Sequence, residues 1–531
     1  MFRTQPARAL LYLIVSLGAL VVPLCAQTKT VTLLYTNDFH SAVEPITATW
    51  LVDQPKIGGI RNLAAWIAMM RREEPDTFLF DSGDVFEGPA ISTLTRGHAL
   101  IDMFDTLGYD AACLGNHEFD YGVGPAKDYI QEEHFPVLAA NLFYKQSGEP
   151  FAKPYAIVAH NGTRVAVIGV FGPTAVSATL VSTWDTLELR DPVPILSKLI
   201  PELRRQADLV VVLVHQGLPG PMQTDAEAHP EVQRTFQADK DLVEAVPGID
   251  VLVAGHSHRG IEVPWVSAKT GSIVVQTYGH GTTLGFLQLT LDTTTHKVLA
   301  HKGSLLRVAP DVFPVPARVD AVVTKWEKRA DELGGQPVAS SAAPLVRNYN
   351  GESALGDLVS DAMRWKTGAQ IGLENAGGIR DDLPAGMVTR ADVISVVPFY
   401  NTVVTGDLTG AQIRKLLEQG LTLQAGLIQV SGLAMRADMS KPEYHRLLSA
   451  TVNGQPLDDA RTYSVAATSF IATGGDNYDA FISLPGSHDT GLLLSDVLEE
   501  YARQRKELTI PLSNRFTDVA AERPQTPHSS R

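Results

Sequence analysis

Residues 31–40 read VTLLYTNDFH, an apolar, β-branched run that stops at Asn37, Asp38 and His40. Four later stretches repeat the pattern: TFLFDSGD (77–84), AACLGNHEFD (111–120), LVVVLVHQG (209–217) and DVLVAGHSH (250–258). Short runs of this kind predict buried strands of an α/β sheet. In such sheets the strand C-terminal ends line a common crevice where ligands bind. Asp38, His40, Asp84, Asn116, His117, His215, His256 and His258 would then gather from five distant stretches at one edge. That is how a two-metal hydrolytic centre is assembled.

Between these runs the period changes from strand to helix. Ile60, Leu63, Ala64, Ile67 and Met70 sit at helical spacing, and Pro192–Ala207 and Asp239–Val246 also suit helices. The alternation is a βαβ layout. Gly285–Leu291 and Lys297–Leu306 predict an antiparallel pair that closes the first domain, over about residues 30–312. Ala317–Leu333 is amphipathic and charged and ends at Gly334-Gly335, which predicts a bridging helix and hinge within 313–341. A second α/β domain is expected over 342–518. Its helices are Ser353–Lys366, Thr409–Leu423 and Leu492–Glu507, and its strands are Ile371–Glu374, Thr402–Asp407, Leu447–Val452 and Tyr463–Ala467. The tail 519–531 is polar and reads as disordered.

A chain of 531 residues is too long for one hydrophobic core. With 44% hydrophobic and 19% charged residues it is globular in composition. Its net charge of −15 argues against nucleic acid polymers, which are bound through clustered Lys and Arg. An anionic small substrate is still compatible, because two divalent ions outweigh Asp38 and Asp84 locally. Arg3 and Arg8 precede an apolar stretch, Ala9–Val22, followed by Leu24-Cys25-Ala26. This reads as an export signal cleaved after Ala26, which leaves no membrane span and a periplasmic, extracellular or cell-surface protein. Cleavage would leave Cys113 as the lone thiol, read as a small buried hydrophobe.

The donors fall into recognisable groups. Asp38 and His40 lie two apart, on one face of an extended chain, as do His256 and His258. Gly83 frees the backbone to turn Asp84 into a crevice. Asp120 lies three residues after His117 and could hydrogen-bond its ring, raising the histidine pKa. In the second domain, Glu374-Asn-Ala-Gly-Gly-Ile-Arg380 places adjacent glycines, Gly377 and Gly378, where backbone N–H groups can approach an oxyanion. Arg380 offers a fork for phosphate. Phe399 and Phe470 could sandwich a flat base, a contact worth about 1–3 kcal/mol per stacked base.

Asp-x-His, Gly-Asp, Gly-Asn-His-Glu, a lone His and Gly-His-Ser-His, in this order, resemble the calcineurin-like metallophosphoesterases. Gly115-Asn-His-Glu-Phe-Asp120 resembles their 5′-nucleotidase branch, and the stretches around Asn375, Phe399 and Phe470 resemble its C-terminal domain. The resemblance implies a four-layer α/β sandwich joined by the bridging helix to an α/β nucleotide-specificity domain. It implies that Asp38, His40, Asp84 and His258 hold one metal, and that Asp84, Asn116, His215 and His256 hold the other. Zinc, manganese, iron and cobalt all suit these thiolate-free donors. His117, oriented by Asp120 and assisted by Asn116, would act on the phosphoryl group. Phe399 and Phe470 would clamp the base, and Asn375, Arg380 and Asp476 would hold base, ribose or phosphate. Arg347 is a further contact, at a spacing to Glu352 that departs from the family pattern.

The activity so implied is hydrolysis of nucleoside 5′-phosphates, extending to nucleotide diphosphates or UDP-sugars, by hydroxide generated at the metals. Rotation about Gly334–Ala342 would bring the domains together. The nearest competing reading is a 2′,3′-cyclic-nucleotide 2′-phosphodiesterase with 3′-nucleotidase activity. A relative acting on sulfur-linked substrates fits less well, given the histidine at 117. A non-catalytic nucleotide- or metal-binding surface protein is the remaining alternative.

Overall fold

The computed structural model describes residues 27–48, 51–74, 76–217, 236–478, 486–508 and 512–521. The expected leader and most of the expected tail lie outside them. No helix among the described residues is long and apolar enough to cross a membrane.

The five decisive runs are strands of two facing sheets. In the first, Thr28–Thr36, Thr77–Asp81, Ala111–Cys113 and Val137–Leu138 run parallel, and the antiparallel pair Thr283–Asp292 and Val298–Arg307 extends it on the Thr28–Thr36 side. In the second, Ile273–Val275, Val251–His256, Leu209–Gln216 and Thr163–Phe171 run parallel between antiparallel edges. The runs are continuous rather than alternating because both faces are buried. Val31, Leu33, Val211 and Leu213 pack between the two sheets. Val210, Val212 and Val214 face outward, under helices Pro192–Leu203 and Gln237–Ala245. Leu34 and Leu79 face the other way, toward helices Ile60–Glu73 and His98–Leu107. The result is the four-layer α/β sandwich.

The second domain is also α/β. Its five-stranded sheet has the order Gln429–Ser431, Ile371–Glu374, Thr462–Thr468, Thr402–Thr409, His488–Leu493. Helices Ala354–Thr367, Arg390–Val396 and Leu494–Arg505 cover one face, and helix Gly410–Gly420 covers the other. Local chemistry sets the helix starts. Ser353 Oγ accepts from the Gly356 amide, and Thr409 forms a capping box with Gln412. The expected helix from Leu492 begins instead at Leu494, because His488–Leu493 pairs as an edge strand with Thr402–Thr409.

The bridging helix runs from Ala317 to Gly334 and buries Val319 and Val323 against the first domain. Arg61 anchors it through Asp320 and Glu327 at 2.8 and 2.5 Å. The expected hinge is narrower than the sequence suggests. Pro337–Ser341 is a strand paired with Gly386–Thr389, so only Gly335-Gln336 separates helix from second domain.

Glu133 is buried in the first domain, and its carboxyl has no hydrogen-bond partner among the described residues. Burial, reinforced by Asp105 and Asp102, pushes it up from 4.5 to about 10. The folded chain therefore keeps a proton that the unfolded chain releases, and stability falls as pH rises between those values. Glu133→Gln should raise the melting temperature at about pH 8 and leave it unchanged at about pH 4, as read by thermal unfolding at both pH values.

Candidate active site

All seven residues expected as metal ligands lie at strand ends on one edge of the sandwich, and each is at most 3% exposed. Asp38, His40 and His258 bring donor atoms within 4.8 Å of one another, and so do Asp84, His215 and His256. The Nε2 atoms of His40 and His258 face each other at 3.0 Å. Asp84 Oδ2 lies 2.9 Å from His215 Nε2, and Asn116 Oδ1 lies 3.1 Å from the same nitrogen. Asp84 also joins His40 and His117 in a third group, which places it between the first two.

The backbone at this edge is unusual. Asp38, His40, Asp84, His256 and His258 all have positive φ, between 46° and 73°. Non-glycine residues rarely adopt that region, and each instance costs of order 1–3 kcal/mol. Hydrogen bonds hold these turns. The Glu118 carboxylate accepts the amides of Asp84, Val85, Phe86 and Gly115 at 3.1, 2.7, 3.3 and 2.6 Å. Asn37 Oδ1 accepts from the Thr277 amide and hydroxyl, and its Nδ2 donates to Asp38 Oδ2 at 2.5 Å. Asp38 in turn accepts the His256 amide.

The donors fit divalent cations on three counts. They are oxygen and imidazole nitrogen, and the one cysteine among the described residues, Cys113, is buried with its thiol pushed well up by burial, so no thiolate selects another chemistry. His256 Nε2 is buried with no protein partner among the described residues, as a nitrogen aimed at a metal would be. The local field also favours positive charge. Burial alone would lower the His215 pKa, but Asp84 and Asp38 drive it up to about 10. His215, His117 and His40 in turn hold the Asp84 carboxyl well below its usual range despite its burial.

His117 lies apart from the other imidazoles in role. Its Nδ1 is 2.8 Å from Asp120 Oδ2, and its ring is the more exposed of the two, at 13%. Burial disfavours its charged form, but Asp120 and Asp84 raise its pKa to about 9. It is a cation-forming group beside the expected ligands. Its ring also stacks on Phe399 of the second domain, with centroids 5.8 Å apart at 22°.

One cavity spans both domains. Its wall includes Asn116, His117 and Asp120 from the first, and Asn375, Phe399 and Phe470 from the second. Gly377, Gly378, Arg380 and Asp476 line it too. Asn375 Nδ2 donates to Asp476 Oδ2 at 2.8 Å, leaving its buried Oδ1 without a partner among the described residues. One expectation needs adjustment. Arg347 does not line this cavity; pairing of Leu345 with Leu383 tucks it behind the loop, where its guanidinium donates to the carbonyls of Ile379 and Arg380. Arg380 keeps its place in the cavity wall, but two nitrogens of its fork, Nε and Nη2, are engaged by Glu87 of the first domain.

Sequence reading missed Glu87 and the bracing roles of Glu118 and Asn37. Glu118 stood inside a noted motif, but nothing in spacing distinguishes a ligand from a group that collects backbone amides.

Comparison with known proteins places this geometry. Residues 31–260 match the family model for calcineurin-like phosphoesterases, and residues 334–483 match that for the 5′-nucleotidase C-terminal domain. The crystal structure of a 5′-nucleotidase precursor from Thermus thermophilus superposes with a TM-score of 0.79 at 30% identity, covering 92% of this chain and 99% of that one. The 5′-nucleotidase of Bos taurus is 28% identical over 553 residues, covering 93% of this chain and 92% of the relative. A sulfate thiohydrolase, SoxB, shares the fold at 21% identity and a TM-score of 0.71, covering 92% of this chain and 96% of that one.

Gly115 is packed so closely that an added Cβ would sit 2.1 Å from Asp84 Oδ1. Gly115→Ala should therefore displace Asp84 and sharply weaken binding of added manganese, measured by calorimetry on metal-stripped protein. Retained affinity would show that Asp84 is not held as described.

Proposed function

Because the chain belongs to the 5′-nucleotidase family of metal-dependent phosphoester hydrolases, we propose that it is exported and cleaves nucleoside 5′-monophosphates to nucleoside and phosphate. One observation carries the reading. Five of the seven donors (His40, Asp84, Asn116, His256 and His258), the His117–Asp120 pair and the aromatic rings of Phe399 and Phe470 all border a single cavity between the domains. The stretch from Arg3 to Val22 supports export.

In this reading Asp38, His40, Asp84 and His258 hold one divalent ion, and Asp84, Asn116, His215 and His256 hold the other. Such a pair, when bound, supplies Lewis acidity toward phosphoryl oxygens and a nucleophile from water at neutral pH. The chain's own residues do the rest. Phe399 and Phe470 hold the base flat, and Asn375 Oδ1 offers an acceptor to its edge. That fixes the distance from base to phosphate and sets the phosphorus beside His117. With Asp120 behind its Nδ1, protonated His117 presents Nε2–H to a phosphoryl or leaving oxygen, and stabilises the charge that develops there. Asn116 lines the same cavity, its Nδ2 oriented by the Ala178 carbonyl at 3.3 Å. Burial excludes bulk water and strengthens each of these interactions.

A panel of 5′-, 3′- and 2′,3′-cyclic nucleotides, with and without chelator, tests the proposal through phosphate release. Adenosine 5′-monophosphate should be turned over, and chelation should abolish the release. Faster turnover of 3′- or cyclic nucleotides would overturn the substrate assignment.

Variants separate the two halves of the site. Asp84→Ala should abolish metal-dependent turnover, whereas Phe399→Ala should mainly raise KM, by roughly 5–150-fold if one stacking contact of about 1–3 kcal/mol is lost. Full activity in the Asp84 variant would contradict the ligand set.

A further inference from the structure

Glu87 stands in the loop that leaves Asp84, with φ of 81° and a carboxylate 1% exposed. Both of its oxygens are engaged by Arg380, and one of them also meets His40. Oε1 accepts from Arg380 Nε at 2.5 Å and Oε2 from Arg380 Nη2 at 2.6 Å, a bidentate pair across the domain boundary. The same Oε2 lies 2.9 Å from Nδ1 of His40. The ring N–H points off the line to that oxygen, so the contact is a charge beside the ring rather than a hydrogen bond. The opposite nitrogen of that ring, Nε2, faces His258 and the expected cation position.

The physical consequence runs both ways. A carboxylate behind Nδ1 keeps the proton on that nitrogen and leaves the Nε2 lone pair for a metal. The guanidinium beyond it neutralises the carboxylate, which would otherwise be an uncompensated buried charge. Arg380 Nη1 reaches the Gly377 carbonyl at 3.3 Å, and its guanidinium carbon lies 5.5 Å from the Phe399 ring centroid. The loop of residues 375–380, which lines the cavity, is thereby tied to the first domain through one side chain.

We propose that Glu87 is a positioning residue for two parts of the site at once: it orients His40 toward the metal position and clamps Arg380, with its loop, against the first domain. The proposal rests on the assignment of His40 as a ligand made above. A glutamine at 87 keeps an oxygen beside His40 Nδ1 but cannot form a charged fork with Arg380. An alanine can do neither.

The test uses metal-stripped full-length protein, with manganese affinity read by calorimetry and loop mobility read by hydrogen–deuterium exchange across residues 375–382. Glu87→Ala should weaken manganese binding roughly 10–100-fold and speed exchange in the loop. Glu87→Gln should restore most of the affinity without slowing the exchange. Arg380→Ala should speed the exchange and leave the affinity near that of the parent. His40→Ala serves as the reference for loss of a ligand. If Glu87→Ala binds manganese like the parent while His40→Ala does not, the role of Glu87 is refuted and the ligand assignment stands. If His40→Ala also binds like the parent, the assignment fails and the proposal with it. Equal loss of affinity in Arg380→Ala and Glu87→Ala, or unchanged loop exchange in Glu87→Ala, would equally overturn it.

Discussion

Four main-chain amides from two separate strand ends converge on one buried carboxylate, that of Glu118, and the rest of the site is built outward from that convergence. Burial and the nearby Asp84 push the Glu118 pKa up to about 7, while the amides pull it down. The gain is rigidity where the chain is least comfortable. Asp84 turns through a left-handed conformation straight out of its strand, with its backbone tied to Glu118 and its side chain to the His117 amide. Strain of this sort persists only where the surroundings over-determine it. Here Glu118, Asn37 and Asp38 do so, each committing side-chain oxygens to backbone N–H groups.

The electrostatics then divide the imidazoles into classes. His256 and His40 are driven toward the neutral form chiefly by burial, to about 3 and about 4. His117 is held cationic by Asp120 and Asp84. Neutral imidazoles suit coordination and the charged His117 suits phosphate, whereas His215, raised to about 10 by Asp84 and Asp38, would have to give up its proton to a cation. The division follows from the balance between burial and the carboxylates each ring meets. Sequence neighbours decide it only for His117, whose partner is three residues away.

Much of this was legible from the chain. The continuous apolar runs announced strands buried on both faces, and the polar residues at their ends announced a shared edge. Asp120 was readable because its spacing to His117 is local. What could not be read were contacts set by tertiary packing. Glu87 reaches its partner nearly three hundred positions along the chain. Arg347 is displaced by a bridge between Leu345 and Leu383 that no local pattern encodes. Residues Leu492 and Leu493 carry a helical pattern, yet edge pairing with Thr402–Thr409 draws them into a strand. The hinge looked broad because glycines and small residues recur through Gly334–Ala342, although Pro337–Ser341 within it is a strand.

The cavity has walls from both domains, and the stacked pair His117 and Phe399 takes one ring from each. A gene fragment encoding either half would carry half a site. Recombination that swapped in a foreign partner would preserve two hydrophobic cores and still lose the junction between them. Inheritance of the two modules as a single unit is thus written into where the void lies, rather than into the stability of either module.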